Sequence, residues 1–322
     1  MPMIKDNRIA ALCGLIVLCV LGALYLGAEA PVTLQRTAPK STKAAAALRC
    51  MPVYSNLEPA SEAESFEIDT AHGSEGYFAV TAKSGSKIKL RVISGSGSEI
   101  VYNVPNTGHT AFYPFSDGSG LYSIQLMRKA TDDPKDSSYE RVAEKSFGVA
   151  LFDEFQPFLH PSTYVWFTGN SNCVSEAAGL CAGLSDDDEK IARIKRFVLE
   201  RLIYDETFSD GEEQGFIRDP DAILSAGKGV CLDYAVLTAA MLRSQGIPAK
   251  VVYGRLSGAE SSHAWNMVYS SSRGWFRLDL SSADSGILDS FVSDDENYTD
   301  RGWYYTVIRQ NCTGKAPVNG LY

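Results

Sequence analysis

The pattern of apolar and polar residues changes along the chain and divides it into parts of different structure. Between about residue 55 and residue 152, short apolar–polar alternations recur between clusters of Gly, Ser, Asn and Asp. In KIKLRVI, residues 87–93, apolar and basic residues alternate, which is the period of a strand with one solvent-facing side. Residues 55–152 are therefore predicted to form a small all-β domain, and a sandwich is the architecture that we expect.

From residue 153 to residue 322 the pattern changes to helices that are followed by strands. The segment SDDDEKIARIKRFVLERLIYD has apolar residues at helical spacing. Its first residue, Ser185, is the predicted N-cap of a capping box with Asp188. In RDPDAILSAGKG, Asp219 is the predicted cap of a short helix, with Pro220 at its first position and Gly227 just beyond its end. The pattern predicts an α+β domain.

A third predicted helix has a cysteine in its first turn. The segment GKGVCLDYAVLTAAMLRSQGIP is rich in Ala, Leu and Met from Cys231 onward, and Gly246 and Pro248 are stop signals beyond the end of the helix. Unpaired N–H groups and the positive end of the helix dipole stabilise a thiolate at such a position. Cys231 has three possible roles, as a nucleophile, as half of a disulfide or as a small buried side chain.

The N-terminus carries an uninterrupted apolar run, residues 9–28, that follows Lys5 and Arg8. The run ends in the small-x-small triplet Ala28-Glu29-Ala30, as a secretory signal peptide does, and it is also long enough to span a bilayer. We therefore predict a signal peptide or membrane anchor at residues 1–30 and a linker at residues 31–54. Whether the run is cleaved or retained stays open; in both cases the protein is exported, either secreted or anchored to the outer face of the cytoplasmic membrane.

Composition removes several classes of function. A formal net charge of -9 argues against nucleic-acid binding, which needs a basic surface. The chain has seven cysteines but no CxxC or other metal-ligand spacing, so neither a metal nor a cofactor is expected. Five cysteines lie outside the apolar run. Four of them can form two disulfides, so the fifth is a candidate free thiol. Pairing of Cys173 with Cys181 and of Cys50 with Cys312 is plausible, but the sequence does not decide it.

A histidine and an aspartate downstream complete a candidate triad with Cys231. They lie in SSHAWNMVYSSSRGWFRLDLSS, which predicts two strands joined by a hairpin turn. A hairpin centred on Ser271 places Asp279 directly opposite His263. A nucleophilic thiolate needs an imidazole, and the imidazole needs an orienting carboxylate, so the three residues together favour catalysis over packing.

These segments resemble the transglutaminase-like superfamily, whose members have a papain-like fold. GKGVCLDYAVLTAAMLRSQGIPAKVVYG resembles the cysteine segment, HAWNMVY the histidine strand and WFRLDLS the aspartate strand, within a similarity from about residue 154 to residue 305. The resemblance implies that Cys231 is the nucleophile, His263 the general base and acid, and Asp279 the orienting carboxylate. The β-domain is similar to the accessory domain of exported Gram-positive members. One departure is DLSS, where the family often has residues such as Asp-Pro-Thr.

The predicted function is thiol-dependent acyl transfer or hydrolysis of a peptide or side-chain amide outside the cytoplasm. The predicted partner is a protein or peptide substrate, with the cell wall as one source of it. The alternative is a catalytically silent cell-envelope module that binds through the same cleft, because the family includes members with no demonstrated activity. Nothing in the sequence chooses between peptidase, transglutaminase and deamidase.

Overall fold

The computed structural model describes residues 63–133, 135–207, 218–256, 263–281, 298–304 and 308–309. The predicted signal peptide or anchor, the predicted linker, Cys50 and Cys312 lie outside these residues. Within the described ranges, no helix is both long and apolar enough to cross a bilayer. The predictions for residues 1–54 therefore stay predictions.

Two antiparallel sheets are present where the sequence predicts an all-β domain. The strands of the first sheet are Ser65–Asp69 (β1), Tyr77–Lys83 (β2) and Thr107–Pro114 (β5), in the order β1-β2-β5. The strands of the second are Ile88–Ser94 (β3), Glu99–Val104 (β4), Gly120–Lys129 (β6), Tyr139–Val149 (β7) and Ile308–Arg309 (β14), in the order β14-β4-β3-β6-β7. Along β3 every second side chain is buried, as its sequence predicts. The β-strands are confirmed, and their classification as a sandwich stays a prediction.

In the described part of the remaining chain, four α-helices precede a third extended sheet. The helices are Asn172–Leu180 (α1), Asp187–Arg201 (α2), Pro220–Ala226 (α3) and Cys231–Ser244 (α4). The sheet contains Ala249–Leu256 (β10), His263–Ser270 (β11), Gly274–Leu278 (β12) and Tyr298–Tyr304 (β13), in the antiparallel order β12-β11-β10-β13. Helix α4 contacts the other three helices and packs on β10 and β11. The predicted α+β class is confirmed.

The helix ends test the sequence predictions residue by residue. The predicted cap of α3 is confirmed, since Asp219 accepts a hydrogen bond from the N–H of Asp221, Pro220 is the first residue, and Gly227 closes the helix in the left-handed conformation. The predicted cap of α2 is wrong by one position. Asp186, not Ser185, is the N-cap, and its carboxylate accepts the N–H of Glu189 at 2.9 Å. Aspartate and serine cap equally well, so the sequence alone did not separate these neighbours.

The apolar core runs continuously under both regions. Buried side chains of the β-strands, among them Phe78, Leu90 and Ile124, belong to the same cluster as Leu237 and Met241 of α4. Every residue of α4 from Asp233 to Ser244 is buried. The helix that carries the candidate nucleophile is therefore held by the core along almost its whole length.

Candidate active site

Cys231 is the first residue of α4 and is half-buried, with its thiol free. The N-cap, Val230, has an extended backbone and no side-chain acceptor, so it satisfies none of the first N–H groups of the helix. Those groups lie beside the sulfur and favour negative charge. The structure thus places the cysteine where the sequence predicts it, at the electropositive mouth of a buried helix.

The approach to Cys231 is fixed by a buried carboxylate that the sequence analysis overlooked. Asp233 accepts the backbone N–H of Val230 at 2.9 Å, and its other oxygen lies 3.3 Å from Arg218 Nε. A Cβ atom added to Gly229 would lie 2.5 Å from Asp233 Cβ, so only glycine fits there. Burial raises the pKa of Asp233, although the Val230 N–H and the Arg218 charge oppose the rise. Asp233 lies two residues after Cys231, and this closeness to the candidate nucleophile is the signal in the sequence that points to it.

A short parallel pairing leads the chain into this loop. Strand β8, Ile203–Tyr204, pairs with β9, Lys228–Gly229, immediately before the cysteine helix. Lys228 also forms an ion pair with Asp205 at 2.8 Å, which extends the connection by one residue. The end of α2 and the start of α4 are thereby tied together on the N-terminal side of Cys231.

The structure brings His263 and Asp279 together. His263 Nε2 lies 2.6 Å from Asp279 Oδ2, and both side chains are largely buried. The second ring nitrogen, Nδ1, is therefore the one left for the Cys231 thiol, whose proximity helps to raise the pKa of His263. All three sequence-predicted site residues meet in one place.

The predicted register of the hairpin is nevertheless wrong. Ser270 pairs with Gly274 and Asn266 with Leu278, so the turn is centred on residue 272 rather than on Ser271. Continued by one residue, this register places Asp279 opposite Trp265 and diagonal to His263. The left-handed Gly274, at φ +71°, closes the three-residue turn that shifts the register. Diagonal neighbours in a sheet still lie within reach of long side chains, so the contact forms.

The pKa of His263 reports the same arrangement. Burial disfavours the charged imidazole, but the hydrogen bonds and charges of Asp279 and Cys231 outweigh it and raise the pKa of His263 to about 9. The imidazolium is thus the favoured form at neutral pH when a thiolate and a carboxylate flank it. This is the electrostatic arrangement that a thiolate–imidazolium pair requires.

Ser281 holds the second oxygen of Asp279 and was not predicted. Its backbone N–H and its hydroxyl donate to Asp279 Oδ1 at 3.1 and 3.0 Å. Hydrogen bonds to a charged acceptor are stronger than neutral ones, so Ser281 fixes the orientation of the carboxylate. The signal was present in DLSS, whose third residue supplies this hydroxyl.

Asn266 links the histidine strand to the cysteine helix and was also overlooked. Its side chain is buried, and Nδ2 donates to the carbonyls of Ala235 in α4 and Lys250 in β10, at 2.9 and 3.2 Å. Ala235 lies one helical turn after Cys231. Asn266 therefore fixes the separation between the strand of the imidazole and the helix of the thiol.

A buried tryptophan stacks on the imidazole. The rings of His263 and Trp265 have centroids 6.1 Å apart and an interplanar angle of 26°. The guanidinium of Arg277 lies over the Trp265 ring at 5.8 Å. Trp265 shields one side of the imidazole from water, which strengthens the interactions of His263 with its charged neighbours.

The remaining cysteines of the described region are not paired with each other. Cys173 and Cys181 are both free and buried. They lie eight residues apart at the two ends of α1, which separates their Cα atoms by roughly 12 Å, twice the span of a disulfide. The local loop that the spacing suggested is therefore wrong. Within the described residues, no group of three or more His, Cys, Asp or Glu side chains is arranged to hold a metal.

Comparisons with known proteins agree with this fold. Residues 174–280, which include all three site residues, match the family model of the Transglutaminase-like superfamily. An uncharacterised protein of Mycobacterium leprae is 25% identical over 184 residues, which are 54% of this chain and 58% of the relative. The chain thus spans little more than half the length of that relative.

Solved structures also match the chain, at low sequence identity. The periplasmic domain of TgpA from Pseudomonas aeruginosa is 16% identical, over 67% of this chain and 73% of that chain, with a TM-score of 0.34. Red sea bream transglutaminase is 12% identical, over 68% of this chain and 53% of that chain, with a TM-score of 0.28. The family likeness rests on residues 174–280, which form a transglutaminase-like domain by the family model.

Proposed function

We propose that this protein is a cysteine-dependent enzyme that transfers or hydrolyses the acyl group of a peptide or side-chain amide. The observation that carries the proposal is the 2.6 Å contact of His263 Nε2 with Asp279 Oδ2, on an imidazole whose pKa the neighbouring Cys231 also helps to raise. The transglutaminase-like core supports a protein or peptide substrate.

The proposed reaction has two halves. Cys231 Sγ attacks the amide carbonyl carbon as His263 takes the thiol proton, and a tetrahedral oxyanion forms. The unpaired N–H groups at the start of α4 are the donors available to that oxyanion. The intermediate collapses as His263 returns the proton to the leaving nitrogen, which releases an amine and leaves a thioester on Cys231.

In the second half, water or a second amine attacks the thioester. His263 accepts the proton of the attacking group, and the bond between the carbonyl carbon and Cys231 Sγ breaks. Asp279 stays ionised and stabilises the imidazolium in both halves, which is the role of the third member of a triad. Water gives a peptidase or deamidase, and an amine gives a transglutaminase.

The decisive experiment measures alkylation of the full-length protein by iodoacetamide at pH 7, resolved by peptide mass mapping. Cys231 is expected to react at least about tenfold faster than Cys173 and Cys181, which are both buried. The His263→Ala variant should slow Cys231 and leave the other two unchanged. Equal rates for Cys231 in both proteins would contradict the proposal and favour the silent binding module.

Export is part of the proposal and is motivated by the apolar run at residues 9–28. The expected result is protein in the membrane fraction or in the medium, and N-terminal sequencing of each pool decides between cleavage and retention. Recovery of the intact chain only from the cytoplasm would contradict export.

A further inference from the structure

A small cavity lies at the end of α4 that is remote from Cys231. It has a volume of about 30 Å³, and its lining includes Tyr102 of β4, Ser116, Arg243 of α4 and Lys250 of β10. Twelve residues of helix place Arg243 roughly 18 Å from Cys231 along the axis. The space suits one or two water molecules or one ion of similar size, and it excludes larger ligands.

Arg243 brings a buried positive charge to this cavity. The residue is 6% exposed, and its guanidinium donates from Nε to the carbonyl of Ala249 at 2.9 Å and from Nη1 to that of His160 at 2.8 Å. Both acceptors are neutral, and a guanidinium has five N–H donors in all. Within the described ranges, Arg243 forms no ion pair with a carboxylate. Burial lowers the pKa of Arg243 to about 9, so the group remains cationic at neutral pH.

Two buried hydroxyls add further donors. The hydroxyl oxygens of Tyr102 and Ser116 are inaccessible to solvent, and neither has a hydrogen-bond partner of good geometry in the described part of the chain, although the two groups are neighbours. Burial raises the pKa of Tyr102, so its hydroxyl keeps its proton. A buried hydroxyl without a hydrogen-bond acceptor destabilises the folded state, and binding of an acceptor removes this cost.

The other charged neighbours leave the lining positive. The Lys250 ammonium lies over the rings of Phe158 and Trp275, at 4.3 Å from each centroid. Asp117 is next to Ser116 in the chain, but its carboxylate accepts from Ser94 at 2.7 Å and lines a neighbouring pocket instead. The lining carries two cations, no carboxylate and four hydroxyl groups, of which that of Tyr164 donates to the carbonyl of Asn103 at 2.7 Å.

We propose that this cavity binds a small monovalent anion of the size of chloride. The anion neutralises the guanidinium of Arg243 and accepts from the hydroxyls of Tyr102 and Ser116. Because these residues come from α4 and from the β-strand region, the bound ion links the two parts of the molecule. The proposal does not depend on catalysis by Cys231.

The test compares the thermal midpoint of the full-length protein in sodium chloride, sodium bromide and sodium gluconate at equal ionic strength. Gluconate is too large for the cavity. Chloride and bromide are each expected to raise the midpoint by about 2–4 °C, with saturation as concentration increases. Crystals grown in bromide should show an anomalous peak beside Arg243.

Variants separate the site from a general salt effect. The double variant Tyr102→Phe with Ser116→Ala removes both hydroxyls and keeps the apolar shape, so the halide-dependent rise should fall by at least half. Arg243→Met should abolish it, and the double variant remains informative if that protein does not fold. Tyr113→Phe is the matched control, because Tyr113 donates to the carbonyl of Asn103 and does not line the cavity. It should retain the full rise.

Two results would overturn the proposal. One is an equal midpoint in all three salts, with density for water only in the cavity. The other is a halide-dependent rise that the double variant keeps in full, which would mean that halides act elsewhere on the protein.

Discussion

His263 Nε2 contacts Asp279 Oδ2 at 2.6 Å although the two residues are diagonal neighbours in the hairpin rather than opposite ones. The side chain of Asp279 therefore has to lean along the strand direction to reach the imidazole. Ser281, which binds the other oxygen of the carboxylate, holds it in that direction. The contact depends on a second residue as well as on strand pairing.

The pH dependence of activity follows from the imidazolium. Because the pKa of His263 is raised to about 9, the rate should decline on the alkaline side near pH 9, where the proton donor is lost. Asp279→Asn removes the charge that raises this pKa, so the alkaline decline should move to lower pH and the rate should fall by about 100-fold or more. A complete pH–rate profile of both proteins is the measurement. An unchanged alkaline limb in Asp279→Asn would show that the carboxylate does not act on His263.

Stability should depend on pH through the same group. A histidine with a raised pKa stabilises the fold fully below its unfolded value of about 6.5, and this contribution is lost as pH rises through about 9. The size of this contribution is on the order of 3 kcal/mol. Urea unfolding at pH 6 and pH 10 should show this loss in the wild type and a smaller one in Asp279→Asn. Equal losses in the two proteins would assign the pH dependence to other groups.

Ser281→Ala should lower the rate while leaving the fold intact. The change removes the 3.0 Å hydrogen bond from the hydroxyl to Asp279 Oδ1 and leaves the backbone N–H in place. We expect a loss of about tenfold in kcat with little change in KM, since the carboxylate loses one charge-assisted bond. Ser281→Thr keeps the hydroxyl and should restore most of the rate. Full activity of Ser281→Ala would mean that the backbone N–H alone is sufficient.

Gly229→Ala should disturb the start of the cysteine helix. The new methyl group would lie 2.5 Å from Asp233 Cβ, so the loop or the carboxylate has to move, at a cost of about 1–3 kcal/mol. Alkylation of Cys231 should slow as well. Gly179→Ala in α1 is the matched control, because no atom lies within 4 Å of its added Cβ. That variant should be neutral or more stable by up to about 1 kcal/mol, because alanine favours a helix more than glycine does. Equal stability of the two variants would contradict the close approach at Gly229.

The sequence predicted elements whose signals are local. The cap, first proline and closing glycine of α3 are consecutive signals, and the cysteine helix begins and ends where its composition changes. The hairpin register was missed because it depends on how many residues the turn uses, and the serine-rich turn permits more than one length. The correct register depends on the three-residue turn that Gly274 closes with its left-handed backbone.

The supporting residues of the site could not be predicted for a different reason. Asn266 acts by donating to a carbonyl of α4, 31 residues earlier in the chain. An asparagine within a strand carries no pattern that names so distant an acceptor. The three triad residues were predictable because their chemistry is distinctive, whereas Asn266 and Asp233 gain their roles only from packing.

The burial of α4 separates the chemistry of this protein from its stability. Only Cys231 and Leu232 at the start of the helix are not fully buried, and the remaining residues belong to the core. A substitution of the thiol therefore leaves the packing of the helix nearly unchanged, while a substitution further along affects folding first. An active enzyme with this architecture could thus lose its reaction through one replacement and keep a stable scaffold. Relatives that retain every core position of this helix but lack the cysteine are the evolutionary outcome that this architecture permits.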